Sequence, residues 1–435
     1  MMQRFYIIAD DLTGANDSGV QLSKMGIAST VLLDCNDDRT LQSIQDVAII
    51  DTDSRALSEE YAFKNVYLSS FKCYEQGFTQ VYKKIDSTLR GNIAAELSAI
   101  ALVHKPEIVV VAPAYPKMDR LTINGHQYVH GHLVSESEFG KDPKTPVTNS
   151  YIPAILGKLV KDPIILLNHD LLQGSTEEIK NFISTQSQQG STWFVCDAKT
   201  DADLKKIATA FGKVNKKTIW AGSAGLIEYL PDVLDLEKKA TNQEKDILVN
   251  KTLTVSGSMS STTKQQIEYI KHLADSYLIE LDPVDLIDRT YCIKEIVNEI
   301  KRMQFKKHFV LFVDPSAKNR KATKEIGFRR SLNKKEIGAI ISTELGKIAK
   351  EIVSAFHDIN GLILTGGDTA KAVCNQLNMF QIALYSEIEP GLPLGKLSNA
   401  VQNVWAITKA GGFGNKYSLV NALKYMVGDV KEYGY

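Results

Sequence analysis

Short runs of β-branched and other apolar residues recur along this chain, and each leads into a longer stretch with helical periodicity. The runs are FYIIA (5–9), STVLL (29–33), VAIID (47–51), EIVVVAPA (107–114), PIILL (163–167), TWFVC (192–196) and TIWAG (218–222). The centre of EIVVVAPA is apolar on both faces of a strand, as a parallel strand covered by helices requires. Strands alternating with 10–15-residue helical patterns predict an α/β unit with a mostly parallel sheet. Between 230 and 250 the chain turns charged and poor in strand formers, as PDVLDLEKKATNQEKD. A second series follows: KTLTVSG (251–257), SYLIEL (276–281), HFVLFVD (308–314), GLILTGG (361–367) and VWAITKAGGFG (404–414). The predicted fold class is α/β with two domains, 1–240 and 246–435. Each is expected to hold a mostly parallel sheet flanked by helices, with the active site in the cleft between them. A length of 435 residues suits two such domains. The basic span 316–335 reads as an exposed loop or flap.

Composition narrows the partners. Lysine plus arginine equals aspartate plus glutamate, at 51 each, which leaves no global field to gather nucleic acid or a membrane surface. No stretch approaches the ~20 apolar residues of a membrane span. The N-terminus meets two aspartates too soon for a signal peptide. Five scattered cysteines (Cys35, Cys73, Cys196, Cys292, Cys374), with no CxxC pair, read as reduced thiols in a cytoplasm.

The chemistry-bearing residues gather at strand ends, where open α/β sheets bind ligands. In IADDLTGANDSG (8–19), Asp10 and Asp11 end the first strand. Adjacent carboxylates repel, so they need a cation, ligand hydroxyls or a shifted proton. Asp11 is expected to accept hydrogen bonds from substrate hydroxyls or to act as a base; plain helix capping by Asp and Thr is the alternative. The helix is expected to begin near Asn16. In YKKIDSTLRGN (82–92), Lys83, Lys84, Asp86, Ser87, Thr88 and Arg90 read as one turn-like receptor for a carboxylate or phosphate. Arg55, ending DTDSR (51–55), is a candidate carboxylate clamp. The excursion 112–147 predicts a β-hairpin over the substrate, touching it through Arg120 or a histidine. His126, His130 and His132 suggest a metal, but no HExxH motif frames them.

In the second half, SGSMSS places Ser256, Gly257 and Ser258 where backbone N–H groups meet a phosphate. TGGDTA (365–370) is a second such loop: Gly366 and Gly367 allow close approach, and Asp368 either binds Mg²⁺ through water or caps the helix. PGLPLG (390–395) and TKAGGFG (408–414) add two more glycine-rich segments, with Lys409 as a cation for phosphates. Together they predict a nucleotide pocket.

Taken in order, IADDLTGANDSG, KKIDSTLRGN, the spaced APAYP…SEF…DP…PV segment, SGSMSSTTKQQI, TGGDTA, PGLPLG and TKAGGFG resemble the four-carbon acid sugar kinases over about residues 5–425. The resemblance implies an N-terminal sugar-acid-binding domain, a C-terminal nucleotide-binding domain and ATP-dependent phosphorylation of a tetronate's terminal hydroxyl. Leu12 and Ile85 resemble the D-threonate branch, with D-erythronate and 3-oxo-tetronate as alternatives. On this resemblance the substrate carboxylate would meet Arg55, Lys84 or Arg90, with Asp10 beside them. Its hydroxyls would meet Asp11, Asp86 and Ser87, and Asp11 or Asp86 would take the proton. ATP would lie over Ser256, Gly257, Ser258, Thr365, Gly366, Gly367, Asp368, Thr369, Lys409, Gly411 and Gly412, with Mg²⁺ on its phosphates. A homodimer is one expected assembly. Two other classes compete: a dinucleotide-dependent oxidoreductase, which lacks its GxGxxG after the first strand, and a non-catalytic sugar-acid sensor, which would not need the second set of glycine loops.

Overall fold

The computed structural model describes residues 4–33, 41, 42, 44, 47–142, 144–188, 190–238, 247–399 and 402–429. Cys35, Pro143 and the domain limits expected at 240 and 246 lie outside the described residues. The chain divides into two compact units, Met1–Thr241 and Asn242–Tyr435.

In the first unit the strands are β1 (Arg4–Ala9), β2 (Ser29–Leu32), β3 (Val47–Asp51), β4 (Phe78–Lys84), β5 (Ile108–Ala112), β6 (Arg120–Ile123), β7 (His126–Val129), β8 (His132–Leu133), β9 (Ile164–Leu167), β10 (Thr192–Cys196) and β11 (Thr218–Gly222). A parallel sheet runs in the order β2-β3-β1-β4-β11-β5-β10-β9. Every residue of β3, β5 and β10 is buried, as helices on both faces demand. Strand register aligns Asp51, Ala9, Lys84, Gly222 and Ala112, each the last residue of its strand. The loops that follow therefore share one carboxyl edge.

Three expectations need correction here. The span 82–92 is not all turn, because Lys83 and Lys84 end β4, buried in the sheet. The first helix spans Leu12–Lys24, so Asn16 sits inside it, and Asp11 is the cap. The 112–147 excursion is a small antiparallel sheet, β6-β7-β8, and not a single hairpin.

The second unit contains β12 (Lys251–Ser256), β13 (Ser276–Glu280), β14 (His308–Phe312), β15 (Ile359–Thr365), β16 (Gln381–Glu387), β17 (Pro393–Ser398) and β18 (Asn403–Lys409). The order β13-β14-β12-β15-β18 is parallel, and β17 and β16 extend it antiparallel. Glu280, Phe312, Ser256, Thr365 and Lys409 form a second row of strand-terminal residues. The segment 390–395 is not a free glycine loop, since Gly395 lies inside β17. The span 316–335 is no flap: it forms the helix Ala317–Arg329 and the start of the helix Lys334–Ala355. Its charges cover the solvent side while Ile326 is buried, a pattern that reads as loop when only charge is counted.

Candidate active site

The Asp10–Asp11 pair is resolved electrically by one guanidinium. Asp10 is only 2% exposed, and Arg55 grips it with two hydrogen bonds, Nε to Oδ2 at 2.7 Å and Nη2 to Oδ1 at 3.0 Å. The third donor, Nη1, reaches Asp11 Oδ2 at 2.5 Å. Burial pushes the Asp10 carboxyl up, but Arg55, Lys83 and Lys84 outweigh it and hold the carboxyl below its usual range. Burial likewise works against the Arg55 charge, yet Asp10, Asp11 and Asp86 raise its pKa well above the ordinary value. Asp11 also caps the first helix: its Oδ1 accepts from the Gly14 N–H at 2.8 Å. Asp11 thus caps the helix with Oδ1 while its Oδ2 accepts from Arg55. Gly91 is required where it stands, with φ at +96° and an added Cβ lying 3.0 Å from Asp10 Oδ2.

Asp86, just past β4, accepts from Arg90 Nε at 2.7 Å and from the Thr88 hydroxyl. Burial pushes its carboxyl up, while Arg90, Arg55 and Lys84 together hold it well below the usual carboxylate range. Ser87 Oγ accepts from Arg120 Nη1 at 2.5 Å. Neither Ser87 nor Thr88 caps the helix Ile93–His104; its cap position is Asn92. The structure thus brings Asp10, Asp11 and Arg55 together, and Asp86, Ser87 and Arg90 beside Arg120. Lys84 Nζ donates to the Ile85 carbonyl at 3.1 Å.

A buried pair that the sequence did not reveal supports this edge. Lys83 Nζ meets Glu96 Oε2 at 2.9 Å, and Glu96 Oε1 accepts from Ser54 Oγ at 2.5 Å, next in sequence to Arg55. The available signal was Glu96, the one charged residue in the helical run IAAELSAIAL. The histidines do not converge: His126 Nδ1 faces the Asn124 carbonyl at 3.0 Å and His130 Nδ1 faces Asp119 at 3.2 Å. Among the described residues no three His, Cys, Asp or Glu side chains group to hold a metal.

In the second unit the glycine loops meet. A Cβ on Gly257 would lie 2.6 Å from Thr369 Oγ1, and one on Gly411 would lie 2.3 Å from Ser258 Oγ. The strands β12, β15 and β18 thus deliver 256–258, 365–369 and 409–412 to one place. Gly366 precedes the helix Gly367–Gln376 with φ at +97°, open to glycine and costly for other residues. Asp368 lies in the first turn of that helix and does not cap it. The Ser256 and Thr365 hydroxyl oxygens, side by side in register, are buried and meet no hydrogen-bond partner among the described residues. Such orphaned groups are costly unless a ligand completes them.

Lys409 is buried, and its ammonium donates to the carbonyls of Ala410 at 2.9 Å, Gly411 at 3.1 Å and Phe413 at 3.2 Å. Burial lowers its pKa to about 8. In this structure it organises its own loop. Thr263 and Gln266, also unsuspected from sequence, hold the same loop from the other side. Thr263 Oγ1 donates to the Gly411 carbonyl, and Gln266 Nε2 to those of Phe413 and Asn415. Their i, i+3 spacing on the helix Ser261–Ile270 was the available signal.

A carbohydrate-type cluster of paired charges in one α/β unit and phosphate-accommodating glycine loops in another define a two-unit, sugar- and nucleotide-binding protein. Family comparison agrees: a sugar-binding N-terminal domain matches residues 5–230 and a nucleotide-binding C-terminal domain matches residues 253–419. The chain belongs to the four-carbon acid sugar kinase family. It is 31% identical to the D-threonate kinase of Salmonella typhimurium, covering 97% of this chain and 98% of that one. It is 28% identical to the D-erythronate kinase of Heliobacterium modesticaldum (98% of each chain) and 26% identical to a 3-oxo-tetronate kinase of Pseudomonas savastanoi (97% of each). Solved structures from Salmonella typhimurium LT2 (TM-score 0.80, 20% identity, 98% of this chain and 100% of that one) and Haemophilus influenzae (TM-score 0.74, 22% identity, 97% and 99%) share the fold. Among the described residues no helix is long and apolar enough to cross a membrane.

Proposed function

We propose that this enzyme transfers the γ-phosphoryl group of ATP to the terminal hydroxyl of a four-carbon sugar acid, D-threonate first among them. The observation that carries the reading is the strand-end cluster of the first unit, where Asp10, Asp11, Asp86, Arg55 and Arg90 interlock beside Ser87 and Lys84. Such a cluster offers both acceptors for sugar hydroxyls and cationic surroundings for a carboxylate. D-Threonate is preferred to D-erythronate because the 31%-identical relative carries that name.

Asp11 is the better candidate for general base. A base works best with a pKa near the working pH, and Asp86 is held far from that by Arg90, Arg55 and Lys84 acting against its burial. Asp86 instead fixes Arg90 and receives a substrate hydroxyl. The nucleotide phosphates would occupy the loops at Ser256–Ser258, Gly366–Thr369 and Gly411–Gly412, using backbone N–H donors and the orphaned Ser256 and Thr365 hydroxyls. Mg²⁺ keeps several waters and usually takes one or two carboxylates plus substrate phosphates; Asp368, exposed at the start of its helix, fits that limited role. When bound, the metal would neutralise charge developing on the phosphates. The protein's own share is positioning the hydroxyl and keeping its proton acceptor close.

A coupled ADP-release assay across the D- and L-isomers of threonate and erythronate and across 3-oxo-tetronates tests the reading. ATP-dependent turnover of D-threonate above the rest is expected. Absence of turnover with every four-carbon acid would refute it, and a higher melting temperature with NAD but not ATP would favour the oxidoreductase class.

A further inference from the structure

The three arginines of the first unit's edge are not equivalent. Arg55 commits Nε, Nη1 and Nη2 to Asp10 and Asp11. Arg90 commits Nε to Asp86 and directs Nη1 towards Asp142 at 3.5 Å. Arg120 has no carboxylate in ion-pair range among the described residues. Among the described residues its guanidinium makes one hydrogen bond, to the neutral Ser87 hydroxyl at 2.5 Å, and its buried Nε–H meets no acceptor. A guanidinium does not shed its proton, so a largely buried one with no carboxylate in ion-pair contact is a costly arrangement that an anion would relieve.

The backbone fixes where this charge points. Arg120 opens β6, tied to Tyr115 by main-chain hydrogen bonds at 2.7 and 3.2 Å. The small sheet is latched to the 86–90 loop: buried Gln127 donates to the Ser87 carbonyl at 2.7 Å while accepting from its cross-strand partner Thr122 at 2.7 Å. Phe139 flanks both guanidinium groups, with its ring centre 5.2 Å from Arg90 and 5.8 Å from Arg120. Two like charges on one ring repel, which an anion between them would offset.

We propose that Arg120, with the Ser87 hydroxyl, is the anchor for the carboxylate of the sugar acid, and that Arg55 instead holds the aspartates in place. Ser87 Oγ accepts from Arg120, so its own proton remains to donate to the same carboxylate. Burial lowers the Arg120 pKa and Arg90 adds to that, outweighing the opposing pull of Asp86 and Asp17. This assignment rests on the sugar-acid reading of the first unit.

Calorimetric titration of the full chain with D-threonate and with D-threitol, its neutral counterpart lacking the carboxylate, tests it without nucleotide. Arg120→Gln should weaken D-threonate by about 10- to 150-fold, the span of one charge-assisted contact, and leave D-threitol unchanged. Arg120→Lys should fall between Gln and wild type, since a single ammonium cannot copy the planar fork. It carries the test alone if the Gln variant shows no cooperative melt. Wild-type affinity for D-threonate in either folded variant, or equal losses for the acid and the alcohol, would overturn the anchor, as would a wild type that binds no four-carbon acid. Arg120-dependent binding without ADP release would keep the anchor and sink the kinase reading. ADP release that ignores Arg120→Gln would do the reverse.

Discussion

Arg55 and Asp10 form a parallel two-point contact, Nε to Oδ2 at 2.7 Å and Nη2 to Oδ1 at 3.0 Å, with the carboxylate buried in the sheet edge. The same guanidinium holds Asp11, so one residue sets the geometry of two adjacent carboxylates. Sugar-acid affinity and local stability are therefore expected to depend on one side chain.

Arg55→Ala should raise the KM for the sugar acid far more than that for ATP, because the aspartates lose their common clamp. It also leaves a buried carboxylate unpaired, at a cost of about 3–5 kcal/mol, so the melting temperature should fall as well. Steady-state kinetics on both substrates, with a thermal melt beside them, checks this. Equal KM changes for acid and ATP would remove Arg55 from the sugar-acid site.

Asp11→Asn retains an oxygen to cap Gly14 but removes the proton acceptor. Turnover should fall by roughly 10²–10⁴-fold with ATP binding kept. Asp86→Asn should act mainly on sugar-acid KM, since its carboxylate anchors Arg90. If Asp86→Asn lowers kcat by the larger factor, the two roles are exchanged.

Acid should expose the same wiring. The folded-state pKa of Asp86 is depressed, so its contribution to stability is present above the unfolded-state value, usually near 3.8, and is lost as pH falls through the lower folded value. Asp86→Asn should flatten the stability curve only on that acid side. A wild-type and variant difference that is constant from pH 3 to 7 would contradict the linkage.

Lys409 titrates in the opposite region. Burial brings its pKa from 10.5 down to about 8, so between those values the unfolded chain binds a proton that the folded one has released. Net stability should gain from this group as pH rises through that window. ATP affinity should fall over the same rise, because the neutral amine holds the 410–413 carbonyls less firmly. Lys409→Met should remove the pH dependence and start from weaker ATP binding. Calorimetry with ATP at pH 7 and pH 9 decides it; a wild-type affinity that does not change would exclude Lys409 as a charged loop organiser.

Among the described residues, nothing beyond its own helix and chain neighbours lies within 4 Å of a Cβ added at Gly367. Gly367→Val should therefore fold normally and fill ligand space, abolishing ATP binding while sugar-acid binding persists. Loss of sugar-acid binding with ATP binding spared would reverse the assignment of the two units.

Much of this architecture was legible from local pattern. Strands β10 and β11 fall on TWFVC and TIWAG to the residue, because apolar runs bounded by polar turns report burial directly. The family motifs likewise marked the strand-end loops. Strand order was not legible: that Lys84 lies between Ala9 and Gly222 follows from pairings far apart in sequence. Charge misled where it was read without periodicity. Lys83 looked like part of a turn, yet it is 1% exposed and paired with Glu96, a partner that only the packing of helix Ile93–His104 supplies. The basic 317–329 stretch looked like a flap, yet helical period turns its charges outward. Arg55, Arg90 and Arg120 read alike as letters; which of them is already neutralised depends on distances between side chains that no spacing along the chain encodes. Near neighbours along the chain were enough to specify the two α/β units and the loops that carry chemistry. Which charges pair, and which remain for a ligand, emerged only on folding, since Coulomb energy depends on separation in space and on burial.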